Sequence, residues 1–135
     1  PAHITIRNTI FSGRGENSPI YINPASTLVA DHNLFFLPQN EHILEHGDTV
    51  YTCANIASLG AGNLCGDPRF IRPAWGEEGD YHLQAGSPAI NAGSADGAPA
   101  VDLENRRRDS QPDIGAYEFR QPSSWLYLPL VLKSM

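Results

Sequence analysis

The sequence predicts an all-β fold wound as a parallel β-solenoid, and three observations carry that prediction. Short strand-like runs follow one another at the spacing of roughly 8–12 residues typical of all-β domains. Glycine and proline together, 12 and 11 of 135 residues, imply many turns and few long helices. An asparagine-centred pattern also repeats. Ile6-Arg7-Asn8-Thr9-Ile10-Phe11 lines up with Asp31-His32-Asn33-Leu34-Phe35-Phe36 at an asparagine spacing of 25, and Gly62-Asn63-Leu64-Cys65 follows at a further 30. Periods of this size signal solenoids, whose equivalent positions stack about 4.8 Å apart. An asparagine at each bend can bond the backbone and the next asparagine, so Asn8, Asn33 and Asn63 are expected to form a ladder.

The elements follow in order. Ile4-Thr5-Ile6 alternates as a strand, Asn8 to Phe11 continues it, and Ser12-Gly13-Arg14-Gly15 is a loop. Ile20-Tyr21-Ile22 is a strand ended by Asn23-Pro24, and Thr27 to Ala30 runs into Asn33-Leu34-Phe35-Phe36. Residues 37–62 interrupt the repeat and read as an insertion on one face. Within it, Glu41 to His46 is one helical turn stopped by Gly47 or an irregular excursion, Thr49 to Thr52 is a strand, and Ala54 to Leu59 is a short helix ended by Gly60. Further on, Arg69-Phe70-Ile71, Asp80 to Leu83 and Asp113 to Phe119 read as strands. Ala89 to Gly93 is a short helical turn or bend, and Ser94 to Pro99 is loop. Gln121 to Ser124 is a linker. Beyond it lies an apolar tail, Trp125-Leu126-Tyr127-Leu128-Pro129-Leu130-Val131-Leu132, too short to span a bilayer and unsuited to a helix because of Pro129. The expected division is 1–65 for solenoid turns, 66–119 for a C-terminal cap and 120–135 for linker and tail. The start at Pro1, directly before a strand, reads as a processed chain or the C-terminal part of something longer.

A net charge of −6 argues against a phosphate-backbone partner, and no transmembrane span is expected. Cys53 and Cys65 form a disulfide in an oxidising compartment or remain two half-buried thiols. Two cysteines without a second pair do not make a zinc site.

The stretch from Gly66 to Phe119 contains Gly66-Asp67-Pro68-Arg69-Phe70, Asp80-Tyr81-His82-Leu83, Gly86-Ser87-Pro88-Ala89-Ile90-Asn91-Ala92-Gly93, Asp102-Leu103 with Arg106 to Arg108, and Asp113-Ile114-Gly115-Ala116-Tyr117-Glu118. It resembles the C-terminal end of bacterial secreted right-handed parallel β-helix proteins of the pectin-lyase-like superfamily, an ending of the choice-of-anchor type. The tail around Tyr127 to Val131 is similar to the short terminal motif of some bacterial exported proteins. The resemblance implies a β-helix end and an extracellular or cell-surface location. It does not imply chemistry: catalytic members place Asp, Arg or Lys on the exposed sheet of middle turns, and no residue here maps onto them.

The candidate chemistry is sparse. His42-Ile43-Leu44-Glu45-His46 matches an inverted zinc-protease pattern. That mechanism needs both imidazoles on one helical face. With Gly47 following at once and β-like surroundings, solvated loop residues are the better account. Asp67, Asp80 and Asp102 follow no calcium-loop pattern. Paired carboxylates serve glycoside cleavage, but Asp102 and Asp113 beside Arg107 read as ion pairs bracing the cap. Trp75, Tyr81 and Tyr117 are candidates for stacking on sugar rings, against ordinary packing as the plainer role. No catalytic residue, metal or cofactor is assigned.

The expected function is therefore a non-catalytic extracellular module that caps a parallel β-helix, its tail (Trp125, Tyr127, Leu128, Pro129, Leu130) mediating attachment to a cell-surface component or assembly. The alternatives are a fragment of a polysaccharide-binding or polysaccharide-cleaving β-helix protein, and a subunit of a self-associating extracellular assembly.

Overall fold

A computed structural model of the chain describes residues 1–16, 19–74 and 78–120. They are mostly β. The strands are β1 (His3–Arg7), β2 (Ile10–Ser12), β3 (Ile20–Ile22), β4 (Thr27–Asp31), β5 (Leu34–Phe36), β6 (Leu44–His46), β7 (Thr49–Tyr51), β8 (Leu64–Cys65), β9 (Phe70–Arg72) and β10 (Asp80–Leu83), with a single 3-10 turn at Ile56–Ser58. No described helix is long and apolar enough to cross a membrane. Trp75 and the tail residues Trp125, Tyr127, Leu128, Pro129 and Leu130 lie outside the described residues.

Two successive passes of the chain run side by side in one register. β1 pairs with β4, β2 with β5 and β3 with β6, all parallel, and every partner lies 24 residues on: His3 with Thr27, Ile10 with Leu34, Ile20 with Leu44. Strand geometry sends alternate side chains to opposite faces. In β5 this splits two neighbours: Phe35 joins a core with Ile22, Ile43, Leu44 and Ile56, whereas Leu34 joins a second core with Leu83, Ala89 and Ile114. Phe11 stacks on Phe35 at 5.2 Å with the rings 5° from parallel.

The bends between strands sit at matched positions. Asn8 and His32 both have φ of 54°, and Gly62 has φ of 72°. Asparagine tolerates this left-handed region better than most residues, and glycine adopts it freely. The true period of the first two passes is thus one residue shorter than the asparagine spacing.

Residues 49–65 close the second pass. Gly47, at φ +62°, makes the tight turn that sends β7 back antiparallel to β6, a geometry that favours glycine. Of Glu41 to His46, expected as a helical turn or an irregular excursion, Leu44–His46 is the partner strand of this hairpin, because Leu44 is needed as a core residue in line with Ile20. The 3-10 turn then buries Ile56 in the core that holds Phe35. The Cys53–Cys65 disulfide, with 5.7 Å between Cα atoms, ties the excursion to β8, which pairs with β5.

Residues 66–119 form a layer against the other side of β5. β9 and β10 make an antiparallel hairpin, and Ile114, Ala89 and Leu83 meet Leu34, with Ile10 alongside. Asp113 to Phe119, expected as a strand, carries no strand pairing. Gly115 sits at φ +108°, and the backbone N–H groups of Glu118 and Phe119 are held by side-chain carboxylates rather than by a neighbouring strand.

Candidate functional site

Asn33 and Asn63 stack as expected. Asn33 donates its backbone N–H and its Nδ2 to Asn63 Oδ1, both at 3.1 Å, and Asn63 Nδ2 donates to Ala30 O at 2.8 Å. Asn33 repeats the pattern one pass up, accepting Thr9 N–H at 3.0 Å and donating to Ile6 O at 2.9 Å. Each asparagine thus fastens the backbone of the neighbouring pass at two points. Asn8 stands outside this line. With a register of 24, the residue stacked on Asn33 is Thr9, and Asn8 occupies the bend. Its side chain turns to the C-terminal layer, donating to Ser94 O at 2.8 Å and accepting Ser94 N–H at 2.7 Å. Gly115 N–H donates to Asn8 O at 2.9 Å.

The C-terminal layer is braced by carboxylates, though not as the pairs expected from sequence. Asp102 is 5% exposed and accepts backbone N–H bonds from Glu104 and Arg106 on one oxygen and Glu118 on the other, at 2.8–3.0 Å. Burial pushes its carboxyl up, but the three backbone donors, with the Arg108 charge, outweigh that and hold it below the ordinary value. Asp113, also buried, accepts Asn91 N–H at 2.8 Å and Phe119 N–H at 2.5 Å. Arg107 is exposed and joins neither. The ion pair belongs to the next residue, Arg108, whose Nη1 lies 2.6 Å from Glu118 Oε2, both side chains being about nine-tenths buried. The isolated bridge of Val101 with Arg107 leaves Arg108 donating to Gly115 O and Asp113 O. Burial dominates at Glu118 and raises its carboxyl despite the arginine.

A second cluster joins the β9–β10 hairpin to the 102–106 turn. His82 Nδ1 lies 2.6 Å from Asp80 and Nε2 lies 2.6 Å from Glu104, while its ring stacks on Tyr117 at 3.9 Å. Only the imidazolium can donate to both carboxylates. Glu104 first and Asp80 second raise His82 above its ordinary value, and His82 in turn lowers Asp80. Tyr117 therefore has one face on the imidazole. Tyr81 packs edge-on to Phe70, its hydroxyl donating to Ala74 O, and remains 39% exposed. No local pattern marks the Glu104 contact, since its partner lies 22 residues away.

The zinc-protease pattern does not assemble. His42 bonds Glu45 at 2.8 Å, but His46, at the end of β6, donates away to Ser26 O at 2.8 Å. No group of metal ligands occurs among the described residues.

The most open feature is the first pass itself. Among the described residues β1, β2 and β3 pair only with strands of the second pass, so their other edges carry no strand. Phe11 and Ile20 are half-buried, whereas their register partners Phe35 and Leu44 are 1% and 0% exposed. Two clefts lie where this pass meets the C-terminal layer. One, of about 510 Å³, is lined by Thr9, Ile10, Ser12, Phe70, Tyr81 and Ala116 among others. The other, of about 470 Å³, includes Thr5, Asn8, Gly97, Pro99 and Arg108. Comparison with known proteins finds no matching family model and no matching curated protein.

Proposed function

We propose that the chain is a non-catalytic extracellular structural module that ends a right-handed parallel β-solenoid. The observation that carries this reading is the single register of 24 between the two passes, combined with their unequal ends. Residues 49–65 seal the second pass with an antiparallel strand, a buried Ile56 and a disulfide. Among the described residues, the first pass presents three unpaired edges above a half-buried core. A solenoid grows by stacking such surfaces and needs a different structure where it stops. A disulfide fits an oxidising compartment. The tail residues Trp125, Tyr127, Leu128, Pro129 and Leu130 would then attach the module to a cell-surface component.

The experiment is a fractionation of exported chain with and without residues 122–135, alongside a screen of neutral and acidic polysaccharides. The expected outcome is an intact fold in both forms, release of the shortened one from the surface, and no sugar product. Appearance of a cleavage product overturns the non-catalytic reading. Unchanged attachment removes the role of the tail. The partly exposed Tyr81 in the 510 Å³ cleft favours, as a second reading, a polysaccharide-binding fragment. A shift in melting temperature with one polysaccharide class is its signature.

A further inference from the structure

We infer that the C-terminal layer is a lateral clasp that grips one further pass of parallel strands stacked on β1 and β2. This rests on the solenoid reading above and adds what would receive a further pass. The two clefts have the same construction. Each has residues of the first pass on one side and the C-terminal layer on the other: Thr9 and Ile10 face Phe70, Tyr81 and Ala116, and Thr5 and Asn8 face Pro99 and Arg108. They flank the Asn8 bend, where Gly115 N–H holds the Asn8 carbonyl and Ser94 holds its side chain. The layer is therefore anchored at the level of the first pass and bounds space beside that pass's open edge.

The chemistry of the occupant follows. An unpaired parallel edge accepts a strand by main-chain hydrogen bonds, with specificity set by alternate side chains. The apolar side chains must sit in line with Phe11 and Ile20, because those residues are half-buried while their register partners Phe35 and Leu44 are covered. Phe11 on Phe35 shows how an aromatic column continues from pass to pass. The bend stacked on Asn8 must adopt the left-handed conformation, as Asn8 and His32 do. The occupant is thus a β pass of the same 24-residue period, aromatic or aliphatic inside and Asn or Gly at the bend. The half-buried core beneath the edge argues against a lone peptide strand, which would leave Ile4 and Ile20 uncovered.

The test extends the full chain by placing a copy of residues 3–26 directly before His3, with a scrambled copy as control. Both are made in the wild-type background and with Ala116→Trp, at an exposed position in the first cleft, or Pro99→Trp, at an exposed position in the second. Melting temperature and amide exchange at residues 9–12 and 115–116 are read. The expected result is a rise of several degrees and slowed exchange with the true copy. That gain is lost in either tryptophan variant, whose unextended forms melt as the wild type does. A gain that survives both substitutions overturns the clasp and leaves the open-end reading standing. No gain from the true copy over the scrambled one overturns both. Should one tryptophan variant fail to fold, the other and the exchange at residues 115–116 decide.

Discussion

Replacing Asp102 with asparagine removes the charge around which the 102–118 segment closes. The carboxylate accepts three backbone N–H groups, from Glu104, Arg106 and Glu118, at 2.8–3.0 Å. A hydrogen bond to a charged group contributes about 1.5–3 kcal/mol, and a buried donor left unpaired costs about 1–3 kcal/mol. Asparagine can present its carbonyl to Glu104 and Arg106, but its amide nitrogen then points a donor at the Glu118 N–H. One charged bond is lost and one donor pair is opposed, so Asp102→Asn should cost about 2–4 kcal/mol. For a chain of 135 residues that corresponds to roughly a 10 °C fall in melting temperature. The pH dependence gives a second reading. Asp102 is held below its ordinary value. Its contribution is therefore present above the unfolded value of about 3.9 and is lost as pH falls through the lower folded value. Urea unfolding at pH 7 and near pH 3 measures both. The wild type should lose stability toward acid more steeply than Asp102→Asn. A variant within about 0.5 kcal/mol of wild type at pH 7, in the range of ordinary surface changes, refutes the reasoning.

Three further outcomes follow. His82→Gln should cost about 1 kcal/mol at pH 5.5, the range of exposed charge pairs. Because His82 is raised above its ordinary value, the difference from wild type should be fully present below that ordinary value and shrink as pH rises through the raised one, in thermal melts from pH 5 to 9. Asn63→Ala strips partners from Asn33, Ala30 and Gly60 and should cost about 2–4 kcal/mol, with faster exchange of the Asn33 amide. Reducing the Cys53–Cys65 disulfide should cost about 3 kcal/mol by the loop-entropy relation and loosen the turn that carries Ile56, read by denaturant midpoint with and without reductant.

How far the sequence was legible depends on how local the deciding contact is. β4, β3 and β10 were readable because alternation and flanking turns specify them within a few residues. The stacking of Asn33 on Asn63 was readable because a buried amide just after a bend has few other partners. Asn8 misled, since it is the same residue type one position early, and only the register of Thr9 on Asn33 separates a bend from a ladder position. Glu41 to His46 favours a helical turn by composition, and long-range pairing with Ile20-Tyr21-Ile22 overrode it. The acid–base braces were the hardest. Asp102 and Asp113 were visible as structural carboxylates. That they would bind backbone N–H groups, leaving the ion pair to Arg108 and Glu118, depends on a fold of residues 100–119 without regular pairing.

Leu34 and Phe35 are neighbours in sequence yet serve two separate cores. During synthesis the core around Phe35 can assemble once Ile56 has emerged. The face of Leu34 must wait for Ile114, some eighty residues further along than itself. Counted from Ile56, some 58 residues at about 5–20 residues per second make an interval of roughly 3–12 s in which an apolar face of a paired sheet stands bare to its surroundings. A ribosome-bound intermediate of this chain should therefore be the form that chaperones bind and that aggregates, and its hazard lies on the side of the sheet rather than at its ends.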